Sequence, residues 1–313
     1  MFYKILFQKN SAYDIIVSEN ILEVLIMSGE KVIFCGNNPD FLDKKLTTLS
    51  DGSNGGNAFR IPSLIRSGNT LIAAIDRQSC GADWGYIELA IRRSEDGGET
   101  WSDIQIIAIP PARKTMLSDE CYGSAFYIDP CMAIAPNGDV LLLVDFYPEC
   151  KGLHKRSILD KKKAPYALYN KEMRPTLYDR DGKFYVIDKS GHVLNHRYTD
   201  TGMTVDYESG ELYSGEAYLG NIHLNGKSPS NINEAGAKTT FGAPLKAPKR
   251  SYLYLLRSSD NGKTWSKPKD ITGQVLIKQD GTFLGVAPGV GLTTHKGRVI
   301  MPVSYTHLTL PTI

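Results

Sequence analysis

Two eight-residue segments of the sequence follow one pattern, and this repeat constrains the fold more than any other feature. SEDGGETW occupies residues 94–101 and SSDNGKTW occupies residues 258–265, so both fit S-x-D-x-G-x-T-W. Each follows a short apolar segment that ends in arginine and serine. We interpret each copy as a hairpin turn in which the aspartate caps backbone amides, the glycine takes a positive φ and the tryptophan packs onto a sheet. Two such turns predict repeated β units.

Short strand signals run along most of the chain and predict an all-β protein. They are rich in Ile, Val, Leu and Tyr and are bounded by Gly, Asn, Asp or Pro. Only residues 20–27 hint at a helix. Repeated units of about four strands favour a β-propeller over a sandwich or a barrel. The predicted strands are residues 70–76, 86–94, 104–109, 140–147, 184–188, 252–259 and 298–303.

The two copies of the repeat are too far apart in sequence to lie in consecutive propeller blades. Residues 151–240 between them are polar, rich in Gly and Lys, and carry hairpin signals, so we predict an inserted small β domain there. Residues 1–50 are predicted to lead into the propeller, whose two parts are residues 51–150 and 241–303. We expect residues 304–313 to be a non-native tail, because VSYTHL matches a translated sequencing adapter; a frayed native terminus is the alternative.

Composition and charge exclude several classes of function. A net charge of +2 gives no reason to expect nucleic acid or an acidic membrane as partner. The five cysteines lack the spacing of a zinc site or a disulfide framework and are interpreted as buried apolar side chains. No apolar run suits a membrane helix, and no signal peptide is visible. Three basic runs (154–156, 161–163 and 246–250) are interpreted as solvated loops, with an anion or glycan contact as the alternative.

One arginine stands out at the start of the strand-rich region. In FRIPSL, residues 59–64, Arg60 lies between an aromatic residue and an Ile-Pro pair. Because a proline restricts the residue before it, we expect Ile61 to be extended. The Arg60 guanidinium either forms a structural ion pair or holds an anion, and arginine is suited to bidentate binding of a carboxylate.

FRIP followed by two S-x-D-x-G-x-T-W segments resembles the sialidase (neuraminidase) superfamily, in which such segments are called Asp boxes. The chain is especially similar to bacterial exo-α-sialidases that carry a β domain inserted in a six-bladed propeller. The likeness runs from about residue 55 to residue 303 and is weakest across 151–215. It implies an enzyme, secreted or on the cell surface, that removes terminal sialic acid from glycoproteins, glycolipids and oligosaccharides. No cofactor is implied, since no metal, triad or nucleotide-binding pattern is present.

The resemblance also implies roles for single residues. Arg60 is the first of three arginines that clamp the sialic acid carboxylate, with Ile61 beside it. Asp83, in ADWGY, is the acid/base, since glycoside hydrolysis needs a proton donor for the leaving oxygen; a loop-capping aspartate is the alternative. Arg77 is either an accessory arginine near the substrate or a charge at a strand end.

Two further residues are lesser candidates for the pocket. Asp129 in YIDP and Tyr147 in DFYPE are expected to line it near the N-acyl and glycerol arms of the sugar. A turn aspartate before Pro130 and a core aromatic are the alternatives. The family's nucleophilic tyrosine, its glutamate and the other two clamp arginines are expected beyond residue 313, so we predict no turnover by this chain alone.

Other functions remain open from the sequence. A non-catalytic Asp-box propeller that binds a glycan or a protein is the main rival to the enzyme. A two-carboxylate all-β glycosidase would need a second acid near Asp83, for which the sequence offers no specific candidate. Hydrolysis and a transfer that releases an anhydro product fit the same residues equally well.

Overall fold

The computed structural model describes residues 4–7, 15–18, 31–34, 58–78, 83, 85–111, 124–149, 163–225, 241–275 and 283–305. Within these ranges the only helix is a single turn, α1 (Thr272–Val275), so the all-β prediction is confirmed. The helix predicted around residues 20–27 lies outside them, as do Trp84 and four of the cysteines. The fifth, Cys131, is buried, as interpreted.

The first strands form a small sheet that leads to the first large one. Strands β1 (Lys4–Phe7), β2 (Ile15–Ser18) and β3 (Lys31–Val32) form an antiparallel sheet in the order β2-β1-β3. Directly after β3, Phe34 packs against Phe59, with ring centroids 5.3 Å apart. This contact anchors the small sheet to the next one.

A four-stranded antiparallel sheet contains the FRIP segment. Its strands are β4 (Ala58–Ser67), β5 (Thr70–Gln78), β6 (Ile87–Ser94) and β7 (Gln105–Ala108), paired in chain order. The two central strands are almost wholly buried. Such an up-and-down unit is the form that a propeller blade takes.

A five-stranded sheet packs against this unit. It contains β8 (Phe126–Ile134), β9 (Val140–Tyr147), β17 (Tyr252–Ser258), β18 (Lys269–Asp270) and β20 (Gly289–Val290), in the order β18-β17-β9-β8-β20. Only the β8–β20 pair is parallel within it. The two large sheets share an apolar core of buried residues, including Ile72, Leu89, Ile91, Leu142, Val144 and Leu256.

The chain between β9 and β17 forms a separate seven-stranded antiparallel sheet, paired in chain order, with its own apolar core. This sheet lies where an inserted β domain was predicted. The last basic run is not the solvated loop we expected, because Arg250 is only 6% exposed. The seven strands are β10 (Tyr166–Tyr169), β11 (Glu172–Tyr178), β12 (Phe184–Ile187), β13 (His192–Leu194), β14 (Asp200–Val205), β15 (Glu211–Ser214) and β16 (Ala217–Asn221).

The C-terminal strands are shorter than the sequence predicted. Strand β19 (Leu284–Val286) pairs with β23 (Val303–Tyr305), and β21 (Leu292–Thr293) pairs with β22 (Val299–Ile300). The prediction of one strand over 298–303 is wrong, because the chain leaves strand geometry between β22 and β23. Pro302 in that gap has no N–H to donate to a ladder.

The two S-x-D-x-G-x-T-W segments form turns with matching hydrogen bonds. The backbone N–H of Thr100 donates to Asp96 Oδ1 at 2.9 Å, and that of Thr264 donates to Asp260 Oδ1 at 2.9 Å. Gly262 takes a positive φ of 79° in the second turn. Hydrogen bonds from the Thr264 hydroxyl and amide lower the pKa of Asp260 to about 2.

The second turn docks onto the four-stranded sheet. The Ser67 hydroxyl donates to Asn261 Oδ1 at 2.7 Å, and Arg93 Nε donates to the Asn261 carbonyl at 2.9 Å. Gly262 lies so close to Ile72 that an added Cβ would be 3.1 Å from its Cδ1 atom. The turn therefore joins the two large sheets.

Candidate active site

Arg60 and Asp83 form an ion pair between the guanidinium Nη1 and the carboxylate Oδ1. Arg60 lies near the start of β4, and Asp83 follows the end of β5. The Arg60 side chain is 18% exposed and that of Asp83 is 43% exposed, so both groups remain accessible to a ligand. The structure thus brings together the two residues that the sequence singled out most strongly.

Ile61 takes a left-handed backbone conformation, with φ at 56°. The expectation that it is extended is wrong, because β4 has a bulge here: Arg60 pairs with Asp76 and Ser63 with Ala74. Two residues of β4 therefore oppose one of β5. A β-branched residue rarely adopts this conformation, and the strain costs roughly 1–3 kcal/mol. Bulges redirect side chains near active sites, and here one follows Arg60 directly.

Asp129 repeats this arrangement in β8. Its φ is 65°, and the β8–β9 ladder has a bulge between Ile128 and Cys131. The Asp129 backbone N–H donates to Asp76 Oδ1 of the neighbouring sheet at 3.2 Å. Burial, followed by the nearby Asp83 carboxylate, raises the pKa of Asp129 to about 6, against the opposing effect of Arg60. Asp129 is therefore electrostatically coupled to the Arg60–Asp83 pair.

Two fully buried acids, Asp76 and Asp145, lie behind these groups, and sequence reasoning missed both. Burial is the main cause that raises the pKa of each carboxyl well above its usual range. The Asp129 carboxylate raises both further, whereas the accepted backbone N–H groups act in the opposite direction. The sequence did contain a signal, because each acid closes an apolar strand segment, IAAID or LLLVD, that follows an X-Pro pair.

Tyr147 packs as a core aromatic. It is 2% exposed and stacks on Phe126, with ring centroids 4.7 Å apart. Burial is the main cause that raises its pKa, and Asp145 and Asp129 add to the effect. These contacts match the structural interpretation; a contact with the glycerol arm of a sugar stays a prediction.

Arg77 does not join the Arg60–Asp83 pair. Because Arg60 pairs directly with Asp76, the next residue along β5 points to the other face of the sheet. There Arg77 Nη1 donates to Glu88 Oε2 at 3.2 Å, and both side chains are buried. The contact explains the charge as part of a structural ion pair, and an accessory role at the substrate stays a prediction.

The arrangement combines a cation, a half-exposed carboxylate and a partly buried acid in one place. A guanidinium suits an anionic group, and carboxyls suit proton transfer. Among the residues the structure describes, no three His, Cys, Asp or Glu side chains are grouped to hold a metal ion. No helix in the described ranges has the length and apolar character needed to cross a membrane.

Known proteins give an independent comparison. No model of a protein family matches the chain. Sialidase B of Streptococcus pneumoniae serotype 4 is 24% identical in an alignment of 303 residues that covers 84% of this chain and 40% of that protein. Anhydrosialidase of Macrobdella decora is 28% identical over 284 residues, covering 79% of this chain and 36% of that protein. These similarities support a sialidase family. The chain spans less than half the length of either relative.

The solved structures agree with the fold. The intramolecular trans-sialidase from Ruminococcus gnavus, solved with oseltamivir carboxylate, matches with a TM-score of 0.61 and 24% identity. The match covers 80% of this chain and 56% of that one. The all-β architecture is therefore that of a sialidase-type β-propeller, and the number of six blades stays a prediction.

Proposed function

We propose that this chain carries part of the active site of an exo-α-sialidase that removes terminal sialic acid from sialylated glycans. The observation that carries the proposal is the partly exposed Arg60–Asp83 ion pair beside Asp129. A carbohydrate-binding scaffold has no need of a proton donor next to an anion-binding arginine. Glycoproteins, glycolipids and oligosaccharides outside the cell are the proposed substrates, reached by a secreted or surface-bound protein.

Arg60 is proposed to bind the carboxylate of sialic acid. That carboxylate sits on the carbon undergoing substitution, so its position fixes the reacting bond. Without substrate, the Arg60 guanidinium is paired with Asp83. An incoming carboxylate competes for the same donors, and a guanidinium can hold it with two parallel hydrogen bonds. Substrate binding therefore weakens the Arg60–Asp83 contact.

Asp83 is proposed to be the acid/base. Once its ion pair with Arg60 is weakened, the carboxylate takes up a proton from solvent, gives it to the leaving oxygen and later takes one back from the attacking water. The 43% exposure of its side chain leaves room for both partners. We propose a retaining reaction with a tyrosine nucleophile, the known exception to the two-carboxylate rule. That tyrosine, its glutamate and two further arginines are proposed to come from sequence outside this chain.

Intramolecular transfer is a second candidate for the reaction. The 28% identity to the Macrobdella decora Anhydrosialidase supports intramolecular transfer as a candidate. In this version a hydroxyl of the bound sugar, rather than water, attacks the covalent intermediate. Arg60 and Asp83 keep the same roles.

The test expresses the full reading frame that contains this chain. The purified protein is given 3′-sialyllactose as substrate, and the products are identified by mass spectrometry. We expect free or anhydro sialic acid, which also separates the two reactions. The variant Arg60→Met should lose about 100-fold or more in kcat/KM. Arg66→Met is the matched control, since Arg66 is exposed farther along β4 and its guanidinium hydrogen-bonds to Gly68 and Asn69 of its own turn.

Two results would contradict the proposal. Binding of 3′-sialyllactose without turnover by that protein would favour the non-catalytic scaffold. Equal loss in Arg60→Met and Arg66→Met would remove the special role of Arg60. The 313-residue chain alone is expected to show no turnover, because the proposed nucleophile lies outside it.

A further inference from the structure

Asp76 and Asp145 occupy equivalent positions in the two large sheets. Asp76 pairs directly with Arg60, the residue before Ile61-Pro62. Asp145 pairs directly with Ile128, the residue before Asp129-Pro130. Each acid therefore lies at the second strand of its sheet, opposite the start of a bulge. The same combination of a bulge and an opposing buried acid therefore occurs in both large sheets.

Each acid also accepts a hydrogen bond from a backbone N–H that belongs to a different sheet. Asp76 Oδ1 accepts the Asp129 N–H at 3.2 Å. Asp145 Oδ1 accepts the Val286 N–H of β19 at 2.9 Å. The second contact is tight, because a Cβ added at Gly285 would lie 2.7 Å from Asp145 Oδ2. In both acids the other oxygen, Oδ2, is buried and has no hydrogen-bond partner among the residues that the structure describes.

We propose that Asp76 and Asp145 are positioning residues that latch successive sheets together: Asp76 holds Asp129 beside the Arg60–Asp83 pair, and Asp145 holds β19 against the five-stranded sheet. The catalytic part of this inference rests on the proposed function, whereas the latch itself does not.

The charge state of these latches follows from their surroundings. Asp76 faces Asp129 of β8, Asp83 after β5 and Arg60 of β4. Asp145 faces Asp129 and the Tyr147 hydroxyl. Acids outnumber cations among these neighbours, and a buried carboxylate with one unsatisfied oxygen is costly. These surroundings favour the protonated, neutral carboxyl, whose Oδ1 can still accept the N–H.

A neutral latch has a defined dependence of stability on pH. When folding raises the pKa of a buried carboxyl above its unfolded value of about 4, the protein is most stable below pH 4. Stability is then lost as the pH rises through the folded value. Asparagine keeps the Oδ1 acceptor but cannot ionise. Asp76→Asn and Asp145→Asn should therefore weaken this loss.

The experiment measures the urea midpoint of the 313-residue chain from pH 5 to pH 9. The parent midpoint should fall as the pH rises, and the fall should be smaller in Asp76→Asn and Asp145→Asn. Asp139→Asn is the matched control: Asp139 is buried at the edge of β9 but forms an ion pair with Arg257. That substitution should lower the midpoint across the whole range.

A second readout reports the latch contacts. Hydrogen exchange should stay slow at the Asp129 amide in Asp76→Asn and quicken at least tenfold in Asp76→Leu, as the acceptor is lost. The same pair of variants at Asp145 should act on the Val286 amide. In the longer active protein, Asp76→Leu should lower kcat/KM more than Asp76→Asn.

The latch is overturned if the Asn variants lose stability at every pH as Asp139→Asn does, or if neither Leu variant alters exchange at its amide. These readouts need no turnover, so they stand even where the sialidase proposal fails. If Asp76→Leu does not fold, the pH dependence of stability and the amide exchange of Asp76→Asn still test the latch.

Discussion

Ile61 and Asp129 take the same left-handed conformation at matching bulges of two neighbouring sheets, each directly before a proline. The first follows the arginine of the candidate site, and the second supplies its partly buried acid. Because left-handed conformations are costly for residues other than glycine, the surrounding structure must impose them. Both bulges therefore belong to the architecture of the site.

Glycine at position 61 tests this strain. We expect Ile61→Gly to change the free energy of unfolding by less than about 1 kcal/mol, because released strain of roughly 1–3 kcal/mol offsets the lost apolar burial. Ile65→Gly, in the same strand at a part-buried position packed against the shared core, has no such strain to release. It should cost about 2 kcal/mol or more in urea unfolding. Equal costs would contradict the account of the bulge.

Gly262 tests the docking of the second turn on the first sheet. Gly262→Ala must place a Cβ 3.1 Å from Ile72 Cδ1 at a φ of 79°. Gly97→Ala carries a similar φ of 74° with open space around it. Backbone strain alone should lower the free energy of unfolding of both variants by about 1 kcal/mol. The contact with Ile72 should lower that of Gly262→Ala clearly further, as measured by denaturant midpoints. A larger loss at position 97 would be inconsistent with the docking.

Asp260 gives a pH-dependent test of the turn. Its pKa of about 2 lies below the unfolded value of about 4, so its hydrogen bonds stabilise the fold above pH 4. This contribution is lost as the pH falls toward 2. Asp260→Ala should therefore lower the melting temperature at pH 7 by more than it does at pH 2.5. An equal effect at both pH values would show that the charged carboxylate is unimportant there.

The pKa of Asp129 should respond to both charged neighbours, Arg60 and Asp83. Arg60 lowers the pKa of Asp129 and Asp83 raises it. Carboxyl NMR should therefore show the Asp129 pKa above about 6 in Arg60→Met and below it in Asp83→Asn. Asp103→Asn, at an exposed position after Trp101, is the control and should leave it unchanged. Unchanged values in both site variants would mean that Asp129 does not face the pair.

Local sequence patterns were enough to predict much of the fold. The segments TLIAAID and VLLLVDFY formed strands because apolar runs bounded by turn residues have few alternatives. Arg60 and Asp83 were identified through motifs, and the structure paired them. The left-handed Ile61 was missed, because a bulge depends on the register with β5 and not on the Ile-Pro pair alone.

Long-range contacts explain the other misses. Asp76 and Asp145 looked like strand residues, and their role appears only when Asp129 and Val286 arrive from other sheets. Arg77 was left open between a substrate-side arginine and a strand-end charge, and the ladder then placed Glu88 opposite it. Such pairings join segments that no local pattern connects.

The role of Asp83 is tested most directly by comparing two leaving groups in the full-length sialidase that is proposed to contain this chain. An acid catalyst matters for 3′-sialyllactose, whose leaving oxygen needs a proton, and matters little for an aryl sialoside with an acidic phenol. We expect Asp83→Asn to lower kcat/KM by about 100-fold or more on 3′-sialyllactose and by less than about tenfold on the aryl sialoside. Equal losses on both substrates would contradict the assignment of Asp83 as the acid.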